Sequence, residues 1–168
     1  MVGLMSMTPV HMDHGGASLR VVGIVISLHI AGMFALSPLI GWLADRVGRV
    51  PVLAVGALLL LASGAVSASA PSTGAVQLSI GLTLLGAGWS CALVAGSALL
   101  TESVPVAVRP DVQGLSDLAM NTGGALGGVL AGVAVAVTSY AALAVAVVVL
   151  VLPFLAVTVS VSVRARPA

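Results

Sequence analysis

The chain has 168 residues, of which only 7% are charged and 60% hydrophobic, with a net charge of +1. A soluble domain carries about 25% charged residues, so this composition excludes a water-covered globule and requires a surface that faces lipid. The charge balance excludes a basic footprint for nucleic acid or a polybasic lipid-binding run, and the single cysteine, Cys91, excludes an internal disulfide or a thiolate metal cluster.

Residues 1–10 are apolar but lack the cationic start of a secretory signal. They are too short to span a bilayer, so they read as the end of a helix whose earlier part is missing. His11, Asp13 and His14 follow as a solvated external loop; three groups in a flexible loop make a weak ligand set, and no metal site is assigned. A pH-sensing contribution is the alternative. Residues 21–44 contain no Asp, Glu, Lys or Arg. A spanning helix needs about 20 residues, which predicts a first span near 20–43. Inside it, His29 needs a hydrogen-bond partner and reads as a packing residue ahead of a solute contact. Pro38 removes a backbone donor and is expected to kink the helix at Ser37-Pro38.

Gly41-Trp42-Leu43-Ala44-Asp45-Arg46-Val47-Gly48-Arg49 then concentrates three charges between two stretches that water would reject. It predicts a tight surface loop, with Gly41 and Gly48 supplying close approach and unusual dihedrals. Asp45 is placed to accept from backbone donors at a neighbouring helix start, and Arg46 and Arg49 to pair with carboxylates. Residues 50–101 are again free of charge. They predict two spans, near 50–69 and 76–101, broken by the turn formers Ser69-Ala70-Pro71-Ser72-Thr73-Gly74. In the second, Cys91 reads as a small apolar filler. Residues 118–163 are charge-free too and predict spans near 112–137 and 140–163, broken near Thr138-Ser139-Tyr140. The fold class is therefore all-α, a polytopic membrane helix bundle. Residues 1–19 form a helix remnant plus loop, 20–163 a five-helix bundle, and 164–168 a tail.

The chain has no lysine, so arginine alone sets orientation. Arg46, Arg49, Arg109, Arg164 and Arg166 fall on one side of a five-span topology and only Arg20 on the other. The positive-inside rule then places the 45–49 and 102–111 loops and the C-terminus in the cytoplasm. Asp117 is the one acid that enters a span. On a helix, Gln113, Asp117, Asn121, Gly124, Gly128 and Gly132 share an arc of about 100°. That face combines pathway-like polarity with a small-residue surface on which another helix can pack. A proton-coupling role is chemically open to a carboxyl there. Its shallow depth favours local capping or pairing.

Gly41-x-Leu43-Ala44-Asp45-Arg46-x-Gly48-Arg49 resembles the signature loop of the major facilitator superfamily, with Val50 where the family prefers a second basic residue. The family carries this loop after its second helix and, weakened, after its eighth. Three features match the later position. The chain ends soon after its fifth span, and the span around Gly86-Ala87-Gly88-Trp89 lacks the embedded arginine of the fourth family helix. The passage Leu100-Thr101-Glu102-Ser103-Val104-Pro105 to Arg109, then Val112 to Asp117, looks like the link between the tenth and eleventh helices. The resemblance implies half of a major-facilitator-type fold, whose two halves bind solute between them at the bilayer midplane. It also implies that the 41–49 loop latches the halves on the cytoplasmic side; a topology anchor alone is the plainer role.

No nucleophile–base pair or phosphate loop appears, so an enzyme has little support, and no cofactor is implied. The leading reading is a part of a secondary, gradient-driven transporter in the cytoplasmic membrane, moving a small and largely neutral solute. Its partners are the lipid bilayer, the solute, and a missing N-terminal half or another helix bundle. The alternative is a truncated, non-transporting fragment or interaction subunit.

Overall fold

The computed structural model describes the backbone of residues 1–164 and the side chains of residues 1–161. Arg166 and Ala165 of the tail, and the side chain of Arg164, lie outside the described residues. The described chain folds into helices joined by short turns. They are α1 (Val2–His14), α2 (Leu19–Phe34), α3 (Ser37–Val47), α4 (Arg49–Ala68), α5 (Ala75–Glu102), α6 (Arg109–Val137) and α7 (Tyr140–Arg164), with a 3-10 turn over Val106–Val108 before α6. Among the described residues five segments are long and apolar enough to cross a bilayer: Leu19–Val47, Arg49–Ala68, Ala75–Glu102, Val106–Val137 and Tyr140–Val161. In lipid every backbone polar group must be paired internally, which leaves a long charge-free stretch no alternative to the helix.

Two local expectations are corrected. Residues 11–14 are the last turn of α1 rather than a loop. Chain reversal waits until Gly15 and Gly16, and Gly16 takes a φ of 75°. Residues 41–47 are likewise helical, the closing turns of α3. The reversal there is compressed into Gly48 alone, at φ 96° and ψ 159°, a conformation that disfavours any side chain. Gly41 needs no such freedom, since a Cβ there would meet only Val94 Cγ1 at 3.9 Å. The Pro38 break occurs as expected. Ala35 and Leu36 leave the helix, and Pro38 restarts it in the first turn of α3, where its missing N–H costs nothing.

α5 is the centre of the bundle, packed most heavily on α4 and then on α2, while α7 covers the other side of α4. Lipid tails are as apolar as leucine, so such contacts rest on close packing and interhelical hydrogen bonds rather than on a hydrophobic drive. Backbones approach closely at two glycine pairs. At Gly32 a Cβ would lie 2.7 Å from Thr83 O and 3.3 Å from Ala87 N, with Gly86 opposite. At Gly56 it would lie 2.8 Å from Cys91 Cβ and 3.0 Å from Gly88 O. Polar clasps reinforce the seams: His29 Nδ1 to Leu82 O at 2.7 Å, Ser63 Oγ to Gly81 O at 2.7 Å, and Ser37 Oγ to Ser90 Oγ at 3.1 Å. α6 is the outlier. Its main neighbour is α1, and Ala131 is its one buried residue.

Candidate functional site

At one end of the bundle Arg49, the first residue of α4, joins three helices. Its Nη1 donates to Asp45 Oδ1 of α3 at 2.6 Å and its Nη2 to Glu102 Oε1 of α5 at 2.6 Å. Gly48 makes this possible by turning α4 back within one residue, so that Asp45 and Arg49 stand four apart across the break. The acids are well exposed, Asp45 at 70% and Glu102 at 54%, while Arg49 is at 22%. Surface pairs of this kind contribute only about 0.2–1 kcal/mol each. The cluster therefore holds the geometry of α3, α4 and α5 weakly enough to be remade.

Asp45 pairs with a guanidinium rather than with backbone donors at a helix start. Arg46 lies with its guanidinium 4.6 Å from the centre of the Trp42 ring, a cation–π contact, and among the described residues no carboxylate pairs with it. The sequence alone does not single out Glu102, because its pairing with Arg49 spans 53 positions. The available signal was topological. Glu102 closes the second helix after Arg49, so an antiparallel pair returns it to the same end.

On α6, Gln113 Nε2 donates to Asp117 Oδ1 at 2.9 Å and Asn121 Nδ2 donates to Asp117 O at 2.8 Å. Both bonds are local to the helix. The glycines of the same arc behave differently from one another. Gly124 and Gly128 face Val2 of α1, at 3.2 and 3.5 Å from a built Cβ, whereas Gly132 has nothing within 4 Å. α1 crosses α6 most tightly at Gly3, where a Cβ would lie 2.6 Å from Ala131 Cβ and 3.0 Å from Gly127 O.

Beside this crossing lies an open cavity of about 610 Å³ between α1, α5 and α6. Its walls include Met7, Trp89, Met120, Asn121, Gly124 and Gly128. A second, mostly apolar cleft of about 500 Å³ shares Trp89, Met120 and Gly124 with it and extends towards α7. Trp89 is braced edge-on by Phe34 of α2, with centroids 6.0 Å apart and planes at 73°. No pattern marks a lone tryptophan in an apolar run as a cavity wall. His29 lies elsewhere, fully buried in the α2–α5 seam, with its Nε2 unpartnered.

At the opposite end of the bundle, His11 stacks on Tyr140 with centroids 4.3 Å apart and planes at 8°. Its Nε2 lies 3.2 Å from Ala70 O. Thr8 Oγ1 and the Tyr140 hydroxyl are 2.8 Å apart and buried. Asp13 and His14 are exposed, and the described residues contain no cluster of His, Cys, Asp or Glu suited to hold a metal ion.

Five spanning helices around a glycine-seamed core define a multi-pass membrane helix bundle. The family profile of the Major Facilitator Superfamily matches residues 1–168, and the chain belongs to that family. It is 44% identical over 143 residues to the uncharacterised MFS-type transporter YddS of Bacillus subtilis, a match covering 85% of this chain and 33% of the relative. YdeG of the same organism, also an uncharacterised MFS-type transporter, is 43% identical over 143 residues with the same coverage. The riboflavin transporter RfnT of Brucella anthropi is 28% identical over 120 residues, covering 71% of this chain and 30% of the relative. The aligned region is about a third of the length of these relatives. No solved structure matches the chain.

Proposed function

We propose that the chain is the carboxyl-terminal part of a gradient-driven transporter that moves a small, largely uncharged solute across the cytoplasmic membrane. The observation that carries this reading is the open cavity between α1, α5 and α6, lined by no charged side chain and flanked by the polar face of α6. Lipid would penalise Gln113, Asp117 and Asn121 on an outward face, so a protein partner or an aqueous pathway lies against them. That partner is the N-terminal half, and the solute moves between the two. The division into 1–19, 20–163 and the 164–168 tail rests on the charge-free spans, and the cytoplasmic placement of the Arg49 end on the arginine distribution. The Asp45–Arg49–Glu102 cluster is the cytoplasmic latch. It joins the ends of three helices through exposed pairs that a change of access state can remake. Membership of the Major Facilitator Superfamily supports an ion or solute gradient as the energy source. Riboflavin, in the name of one relative, falls within the small-solute class.

The test restores the other half. A fusion to the N-terminal six helices of YddS, purified into proteoliposomes, is screened for uptake of neutral aromatic and sugar-like solutes under an imposed proton gradient. Gradient-dependent flux that is lost in Arg49→Gln supports the reading. A correctly inserted fusion with no flux of any solute refutes it and favours an interaction bundle.

A further inference from the structure

We propose that the break at Ala35 and Leu36 is a hinge on which α3 swings as one piece, and that Trp89 and Ser90 of α5 are the positioning residues that fix its angle; the link to solute movement rests on the transport reading above. α2 and α3 are two parts of one span, Leu19–Val47. Pro38 has no N–H, so the helical bond back to the Phe34 carbonyl cannot form. Ser37 Oγ donates to Met33 O at 3.0 Å, a back-bond of the kind that bends helices. Element-terminal residues of this sort are where hinges absorb a change of angle.

The buried core divides at the same level. Before the break, α2 is seated on α5 by the Gly32–Gly86 approach and the His29–Leu82 clasp, and its Val25 shares one buried cluster with Leu78, Leu82 and Leu85. After the break, α3 buries Ile40 and Ala44 in a second cluster with Val52, Leu53, Cys91 and Ala95. The two clusters have no residue in common. α3 is therefore free to tilt within its own cluster while the α2–α5 seam stays closed. Its other side offers little resistance, since Leu39, Trp42 and Val47 are exposed.

Two contacts straddle the break, and both come from consecutive residues of α5. Trp89 meets Phe34, the last residue of α2, edge-on. Ser90, buried, meets Ser37, the first residue of α3, with the hydroxyl oxygens 3.1 Å apart. Ser37 commits its one hydroxyl proton to Met33 O, so Ser90 is the donor of this pair. Near the far end of α3, Asp45 holds Arg49 at 2.6 Å. Ser37 and Asp45 stand about 12 Å apart along the helix at 1.5 Å per residue, so a tilt of about 15° carries Asp45 about 3 Å and parts that ion pair. Trp89 also lines the cavity between α1, α5 and α6. A solute that displaces the indole thus loosens the hinge and, through α3, the Arg49 cluster.

The experiment measures distances between spin labels on the chain in lipid nanodiscs, with the one native cysteine removed by Cys91→Ala. One label pair, Val47→Cys with Ser103→Cys, reports the end of α3 against the end of α5; the other, Ile24→Cys with Ile80→Cys, reports α2 against α5 before the break. All four positions are exposed. Ser90→Ala and Trp89→Ala each shift or spread the Val47–Ser103 distance by about 3 Å, the displacement of a 12 Å lever tilted by about 15°, and leave Ile24–Ile80 as in the parent. Ser90→Thr and Trp89→Phe, which keep the hydroxyl and the ring, restore the parent distance. Pro38→Ala, which returns the missing N–H, narrows the Val47–Ser103 distribution. Equal changes in both label pairs report general loosening and overturn the proposal, as does a Val47–Ser103 distribution that ignores Ser90→Ala, Trp89→Ala and Pro38→Ala. Flux in the restored fusion with those distances unmoved overturns the hinge and leaves transport standing. The predicted distance changes without flux retain the hinge and remove the transport reading.

Discussion

Gly32→Ala tests whether the bundle is held by backbone approach rather than by apolar bulk. The new Cβ would sit 2.7 Å from Thr83 O and 3.3 Å from Ala87 N, both backbone atoms of α5. Reaching an ordinary contact of 3.4 Å requires α2 and α5 to separate by about 0.7 Å, since neither atom belongs to a side chain that can rotate away. The same separation would lengthen the His29 Nδ1 to Leu82 O bond from 2.7 Å to about 3.4 Å. His29 is fully buried and its Nε2 has no partner, so losing this bond strips the imidazole of its one clasp. A buried polar group left unsatisfied costs about 1–3 kcal/mol, and overpacking adds about 1–3 kcal/mol. A combined loss of about 2–6 kcal/mol corresponds to a fall in Tm of roughly 4–24 °C for a chain of this size. Thermal unfolding followed by tryptophan fluorescence reads the shift. Gly23→Ala on the same helix, with nothing within 4 Å of its Cβ, gives the control and should match the parent or exceed it slightly. Equal Tm values for the two variants would refute the claim that the Gly32–Gly86 crossing holds α2 on α5.

Arg49→Gln removes both charged contacts at once, yet the exposure of Asp45 and Glu102 limits the stability loss to about 1 kcal/mol; in the restored twelve-helix protein transport should fall far more than Tm, and equal falls would make the cluster merely structural. Gly3→Leu should disrupt the α1–α6 crossing, because a Cβ there would already meet Ala131 and the Gly127 carbonyl, whereas Gly132→Leu should leave the unfolding free energy within about 0.5 kcal/mol of the parent; comparable losses would place the crossing elsewhere. Tyr140→Phe should cost only about 0.6 kcal/mol, the average for an interhelical hydrogen bond in a membrane, because Thr8 Oγ1 still donates to Leu4 O at 2.8 Å; a loss above 2 kcal/mol in an unfolding titration would show that the hydroxyl has a further essential partner. Cysteines at Ser72 and Ser139 should react with an impermeant maleimide from outside sealed cells and one at Ser103 should not, and external labelling of Ser103→Cys would reverse the orientation.

The span pattern was legible in the sequence almost to the residue. Runs without charge at 50–101 and 118–163, each cut by turn formers, became α4 with α5 and α6 with α7. Lipid offers no partner for an open backbone, so length and absence of charge decide the helix before any contact forms. The Pro38 break and the turn at Gly48 were equally readable, being properties of single residues. What hydropathy could not carry was direction. In a soluble helix the apolar face points inward, but here the outside is as apolar as the inside, so the sequence held no mark that α5 is central and α6 peripheral. Charge density also misled at 41–49, where three charged positions suggested a loop and the chain instead keeps the helix to Val47, its carbonyls held by α3 itself. The Arg49–Glu102 pair, the His29–Leu82 clasp and the Trp89 cavity wall join positions far apart along the chain. Such pairings follow from how rigid helices cross at their glycines, and only the assembled bundle decided them.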